Sequence, residues 1–75
     1  MNWTVKLAEV FEDQRPEEKP REVPGYGVEA SDVDGAKAAA RAWLVQRGHK
    51  VRAISVCSPA DKRVLSAVVM VKRGG

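Results

Sequence analysis

The side chains that could support covalent catalysis are few. His49 is the only histidine and Cys57 the only cysteine. A nucleophile needs a base beside it, so His49 is the one candidate base for a Ser-His or Cys-His pair. His49 directly follows Gly48, a residue type that often ends helices, and this predicts a solvated position. Cys57 lies among serine and aliphatic residues, which favours an inert, buried thiol over a reactive one. We therefore predict no catalytic residues and no enzyme activity.

Metal and cofactor sites lack the residues that they require. A single cysteine excludes an intramolecular disulfide and zinc sites built on paired cysteines. Gly25 and Gly27 enclose one tyrosine, which is too short a motif for a glycine-rich phosphate loop. We expect neither a metal nor a cofactor.

The distribution of charge is the strongest positive feature of the chain. Its formal net charge is +3, but residues 1–35 hold nine acidic and four basic side chains, whereas residues 36–75 hold one acidic and nine basic. The first part therefore carries −5 and the second +8. Such asymmetry is a pointer to an anionic partner. Two readings stay open: the halves interleave in the fold and neutralise each other, or the cations gather on one surface.

The candidate partner-binding residues are basic side chains of the second half, on the predicted helix and in or beside the last two predicted strands. They are Lys37, Arg41, Lys50, Arg52, Lys62, Arg63, Lys72 and Arg73. On a shared face they would neutralise a run of phosphates or acidic groups with salt-sensitive affinity. No aromatic residue follows Trp43, so the stacking platform of single-strand binders is missing. We predict a macromolecular partner, either protein or nucleic acid.

The elements that must position these residues follow from the hydrophobic pattern. Alternation predicts strands at 2–11, 26–30, 50–57 and 63–73, and high helix propensity predicts a helix over 31–47. Residues 67–71 are apolar on both sides, as in a strand at the centre of a sheet. Residues 58–61 have the pattern of a type I turn, which predicts a hairpin between the last two strands. The expected fold is one α+β domain, residues 1–75, of order ββαββ, with one helix on a four-stranded, mostly antiparallel sheet.

The predicted helix has defined ends and two apolar stripes. Ser31 and Asp34 have capping-box spacing, and Gly48 is the expected residue after the helix. The main stripe should face the sheet; it consists of Val33, Ala36, Ala40, Trp43 and Leu44. The second stripe is either helix-favouring surface or a patch for weak self-association; it consists of Ala38, Ala42 and Val45.

Residues 12–25 are rich in charge and proline and almost free of apolar residues. This composition predicts an extended, mobile loop, which could also order on binding a partner.

The chain start has no basic region followed by an apolar run, and no apolar run approaches the roughly 20 residues that span a bilayer. We expect a cytoplasmic protein without membrane contact.

The element order, the length and the ending Arg73-Gly74-Gly75 resemble those of the ubiquitin-like β-grasp proteins. The resemblance implies that the first and last strands are parallel neighbours in the centre of the sheet. It also implies that Gly74 and Gly75 form a flexible tail that is joined to an amine or carries sulfur. The departure from that family is the long acidic segment between the first two strands. The Ala-, Val- and Arg-rich composition also resembles that of small proteins of high-GC actinobacteria and their phages.

Overall fold

The computed structural model describes residues 1–13, 15–57 and 62–72. Its elements, in chain order, are β1 (Asn2–Phe11), β2 (Arg21–Glu29), α1 (Val33–Gln46), β3 (Lys50–Val56) and β4 (Val64–Val71). This is the α+β fold of ββαββ order that the sequence predicts. The predicted turn at 58–61 and the tail residues Arg73, Gly74 and Gly75 lie outside the described residues.

The sheet has the strand order β2-β1-β4-β3. β1 pairs with β2, and β3 with β4, in antiparallel orientation, whereas β1 and β4 are parallel neighbours in the centre. The sheet is therefore mixed, with two of its three pairings antiparallel. The central position of β4 explains why its middle residues are apolar on both sides.

The core lies between one face of the sheet and α1. Alternate residues of the two central strands supply most of it, because successive side chains of a strand point to opposite faces. The buried cluster comprises Trp3, Val5, Leu7, Leu65, Ala67 and Val69 from the sheet and Ala36, Ala40 and Leu44 from the helix. The main stripe of the predicted helix thus faces the sheet, with Val33 and Trp43 half-buried at its margins.

The N-cap of the helix lies one residue later than predicted. Asp32, not Ser31, is the N-cap, and its carboxylate accepts a hydrogen bond from the Gly35 amide at 2.7 Å. The capping-box prediction was therefore wrong by one residue, since aspartate caps as well as serine does and adds a charge that the helix dipole favours. Gly48 follows the helix in a left-handed conformation, φ 80°, as predicted.

β2 begins at Arg21, earlier than the predicted start at Tyr26. The predicted loop over 12–25 was therefore too long, since residues 21–25 are strand. The charged, proline-containing composition of residues 21–25 is compatible with a strand because β2 is an edge strand with exposed charges, and Pro24 is tolerated at an edge. The β1–β2 register shifts between Val5 and Leu7, and a Cβ at Gly25 would overlap the carbonyl oxygen of Val5. Glycine at position 25 therefore permits this close approach.

Candidate functional site

The sheet order separates the two charge classes in space. Seven of the nine acidic residues of the first half lie on β1, on β2 or on the segment between them, whereas Asp32 caps α1 and Asp34 lies in its first turn. The described basic residues of the second half lie on or directly after α1, on β3 and at the two ends of β4. The two charge classes therefore lie mostly on different halves of the sheet, and they meet on α1, which carries Asp34 with Lys37 and Arg41. Lys50 reaches across to Glu12, with 3.4 Å between Nζ and Oε1, at an exposed position where such pairs contribute little.

An aromatic stack fixes which flank of the helix faces which strand. The rings of Tyr26, on β2, and Trp43, on α1, stack with centroids 3.8 Å apart, and the Tyr26 hydroxyl donates a hydrogen bond to the Ala40 carbonyl at 3.0 Å. This flank of α1 therefore faces β2. On a helical wheel, Lys37 and Trp43 lie roughly 60° to opposite sides of Ala40. Lys37, and Arg41 beyond it, are therefore on the flank towards β3.

The guanidinium of Arg47 packs on the aromatic stack. Its guanidinium lies 3.6 Å from the centroid of the Trp43 ring, and Nη1 donates to the Trp43 carbonyl at 3.4 Å. Burial raises the pKa of the Tyr26 hydroxyl, an effect that the nearby Arg47 charge partly offsets. Arg47 thus stabilises the β2 flank of the helix, whereas Lys37 and Arg41 have no ion pair among the described residues.

The remaining candidate residues extend along the β3–β4 side of the molecule. Lys50 begins β3, and Arg52 is exposed where the β3–β4 register shifts between Val51 and Ala53. Lys62 and Arg63 precede β4, and Lys72 follows it; the lysines are exposed and Arg63 is half-buried. Together with Lys37 and Arg41, these cations are spread over α1, β3 and the two ends of β4, and they do not form a single flat face. We call this set, without the undescribed Arg73, the basic side.

Arg63 has an unusual backbone conformation. Its φ is 54°, in the left-handed region that costs an L-residue about 1–2 kcal/mol. The Arg63 carbonyl accepts a hydrogen bond from the Thr4 amide at 2.9 Å, which joins the entry of β4 to β1. The parallel pairing of the central strands therefore begins at a strained residue of the basic side.

The two residues considered for nucleophilic chemistry lie far apart. His49 precedes β3 and Cys57 follows it, so at about 3.3 Å per residue their separation is about 25 Å. Cys57 is exposed, so the prediction of a buried thiol was wrong. The cause is that β3 is an edge strand and Cys57 lies past its end. His49 is half-buried.

A shallow depression of about 460 Å³ lies on the sheet face opposite the helix. Its polar lining among the described residues includes Lys6, Glu22, Cys57 and Ser66. In the same part of the chain, no group of three His, Cys, Asp or Glu residues is placed to hold a metal ion.

The second helix stripe is open to solvent. Ala38, Ala42 and Val45 are all exposed, and 59% of Val45 is accessible. Self-association through this stripe stays a prediction.

The outer edge of β3 is a feature that the sequence analysis missed. Among the described strands β3 pairs with β4 alone, and Val56 at its end is 39% exposed. The signal available in the sequence was the mixed pattern of residues 50–57, in which small, charged and apolar residues do not alternate cleanly.

A search of the described residues finds no helix long and apolar enough to cross a membrane. Comparison with known proteins finds no matching family model, curated protein or solved structure. The case for function therefore rests on the charge and geometry of this chain.

Proposed function

We propose that this protein is a small, non-enzymatic docking module that binds an anionic macromolecule, protein or nucleic acid, through its basic side. In this proposal it works in the cytoplasm, where Cys57 stays a free thiol. The observation that carries the proposal is the lateral separation of charge across the sheet.

The separation is wide enough to matter at physiological salt. β2 and β3 are three strand spacings apart, about 14 Å, which exceeds a Debye length of about 8 Å. The acidic residues of β2 therefore do little to neutralise Arg52 on β3, whereas Lys50 is paired with Glu12. A partner that contacts the β3 side meets an excess of positive charge although the chain as a whole carries only +3.

Salt-dependent binding of two anionic probes tests this proposal. Fluorescence anisotropy would follow a labelled polyglutamate peptide and a labelled single-stranded oligonucleotide between about 50 and 200 mM salt. We expect at least one probe to bind, with affinity that falls as salt rises. Arg41→Glu together with Arg52→Glu should weaken that binding. Binding that is flat with salt, or absent for both probes, would remove the proposal.

A second candidate is a ubiquitin-like carrier or modifier, in which Gly74 and Gly75 would form the reactive tail. Its support is the sheet topology, because the first and last strands are parallel neighbours in the centre of the sheet as in β-grasp proteins. Deleting Gly74 and Gly75 should then abolish a thioester, thiocarboxylate or conjugate that mass spectrometry finds on the intact chain in cell extract. If wild type and deletion variant behave alike, the carrier reading fails.

A further inference from the structure

The outer edge of β3 presents backbone groups that no described strand satisfies. Antiparallel pairs alternate, so every second residue directs its amide and carbonyl to the neighbouring strand. The Cys57 amide donates to the Val64 carbonyl at 2.9 Å, and Ser55 lies opposite Ser66 two residues earlier. Cys57 and Ser55 therefore point their backbone groups towards β4. It follows that Ile54 and Val56 point theirs outward, away from the sheet.

The opposite edge of the sheet is less suited to pairing. β2 contains Pro24, which has no amide hydrogen to donate, and the irregular register beside Gly25. β3 contains no proline or glycine, and its register from Ala53 to Val56 is regular. An extended chain could therefore add to β3 over this second half, beyond the irregular register around Arg52.

The helix packs against β3, so side chains of both elements lie near this edge. Ile54 is a partly buried residue packed against the core, and Val56 leaves 39% of its surface exposed. On the β3 flank of α1 are Lys37 and Arg41, with Asp34 one turn before Lys37 and Val45 further along. An added strand would thus face aliphatic side chains on the sheet and, on the helix, two cations and one carboxylate.

We propose that the β3 edge binds an extended acidic segment of a partner protein by strand addition. This inference rests on the proposed function and names the partner class for the same basic side. Acidic side chains facing the helix would lay their methylene groups on Ile54 and Val56 and reach Lys37 and Arg41 with their carboxylates. Backbone hydrogen bonds to Ile54 and Val56 would set the register.

The same charges act against a second copy of this chain as the occupant. Two β3 edges brought together would also bring the β3 flanks of the two helices towards each other, and the net positive charge that Lys37 and Arg41 give each flank would repel. Charge therefore selects an acidic strand over self-pairing. A protein segment is also favoured over single-stranded nucleic acid, because this side carries no aromatic residue on which bases stack.

A pair of peptides provides the test. The probe is a labelled peptide of about eight residues that alternates glutamate with valine. Its control has the same sequence and charge but N-methylated amides on alternate residues, which removes the hydrogen bonds of a strand. We expect the unmodified peptide to bind at least tenfold more tightly. Equal binding of the two peptides would overturn strand addition and leave the electrostatic proposal standing.

Amide hydrogen exchange locates the bound peptide. In the free protein, Ile54 and Val56 should exchange fast and Ser55 slowly. On saturation with the unmodified peptide, the exchange of Ile54 and Val56 should slow by at least tenfold while that of Ser55 stays the same. Unchanged exchange at Ile54 and Val56 in the saturated complex would contradict the inference.

Matched charge reversals complete the experiment. Arg41→Glu should weaken the peptide about fivefold or more, since an exposed ion pair contributes up to about that factor and reversal adds repulsion. Arg21→Glu makes the same charge change on the opposite edge and should have a much smaller effect. Equal losses in the two variants would contradict binding at the β3 edge. If only the oligonucleotide binds, and Arg41→Glu weakens it, strand addition fails while the proposed function survives. If no anionic probe binds, the proposed function fails as well.

Discussion

The strained backbone at Arg63 gives a prediction in which two variants differ in stability but not in binding. We predict that Arg63→Gly stabilises the fold relative to Arg63→Ala, because glycine adopts a φ of 54° without the steric cost. Both variants lose the same guanidinium. Any difference between them therefore reports the backbone at this position and not the side chain.

The magnitude follows from two opposing terms. Releasing the left-handed strain gains about 1–2 kcal/mol. The larger freedom of glycine in the unfolded chain costs about 0.5–1 kcal/mol. Taking the middle of each range, the net gain of Arg63→Gly over Arg63→Ala is about 0.75 kcal/mol. For a domain of this size, that corresponds to a rise in Tm of about 2–8 °C.

Urea unfolding followed by tryptophan fluorescence measures this difference, with thermal unfolding as the second readout. Affinity for an anionic probe should fall to the same degree in both variants, since Arg63 belongs to the basic side. If Arg63→Gly is no more stable than Arg63→Ala, the residue is not strained in solution. If both variants bind as wild type does, Arg63 does not contribute to the basic side.

Three further predictions concern the fold and the aromatic stack. Gly25→Ala should destabilise by about 2 kcal/mol or more, because its Cβ would overlap a backbone carbonyl oxygen of β1. Gly27→Ala should be tolerated, because its Cβ would lie 3.6 Å from the Trp3 carbonyl oxygen, an ordinary van der Waals contact; equal effects in urea unfolding would contradict this packing. Asp32→Ala should cost about 1 kcal/mol as the loss of the N-cap, and Ser31→Ala only a few tenths; a larger loss for Ser31→Ala would move the cap back to Ser31. Tyr26 is the only tyrosine, so phenolate absorbance reports its pKa directly, and the midpoint in the folded protein should lie above the ordinary 10.0. Because folding raises this pKa, the stability from the neutral hydroxyl is complete below pH 10 and is lost as pH rises through the folded pKa; a midpoint at or below 10.0 would contradict the burial.

The sequence predicts which helices and strands form better than it predicts which strands lie at an edge of the sheet. The helix, the element order ββαββ and the central place of β4 follow from periodicity and propensity, because buried surfaces require apolar residues at fixed spacing. The start of β2 was missed because an edge strand has one side in water, so its charged residues and Pro24 carry no burial signal. Cys57 was assigned to the interior for the same reason, since its aliphatic neighbours do not reveal that β3 lies at an edge.

The candidate site could likewise be predicted from the sequence only in part. The number and sign of the basic residues are sequence facts, but their grouping depends on the strand order β2-β1-β4-β3, which places β3 at one edge. The assignment of Lys37 and Arg41 to the β3 flank depends on the stack of Trp43 on Tyr26. Residues in different elements form this contact, and no local pattern encodes it.

The most direct test of the central claim compares two variants of equal net charge on a heparin column. One variant reverses two cations of the basic side, Arg41→Glu with Arg52→Glu. The other reverses two cations on or just before β2, Arg15→Glu with Arg21→Glu. Each pair lowers the formal net charge by four, from +3 to −1. We predict that the first variant is no longer retained at neutral pH. The second variant should elute at a salt concentration close to that at which wild type elutes. Elution of both variants at the same salt concentration would show that total charge alone governs binding, and would contradict a binding surface at the β3 side.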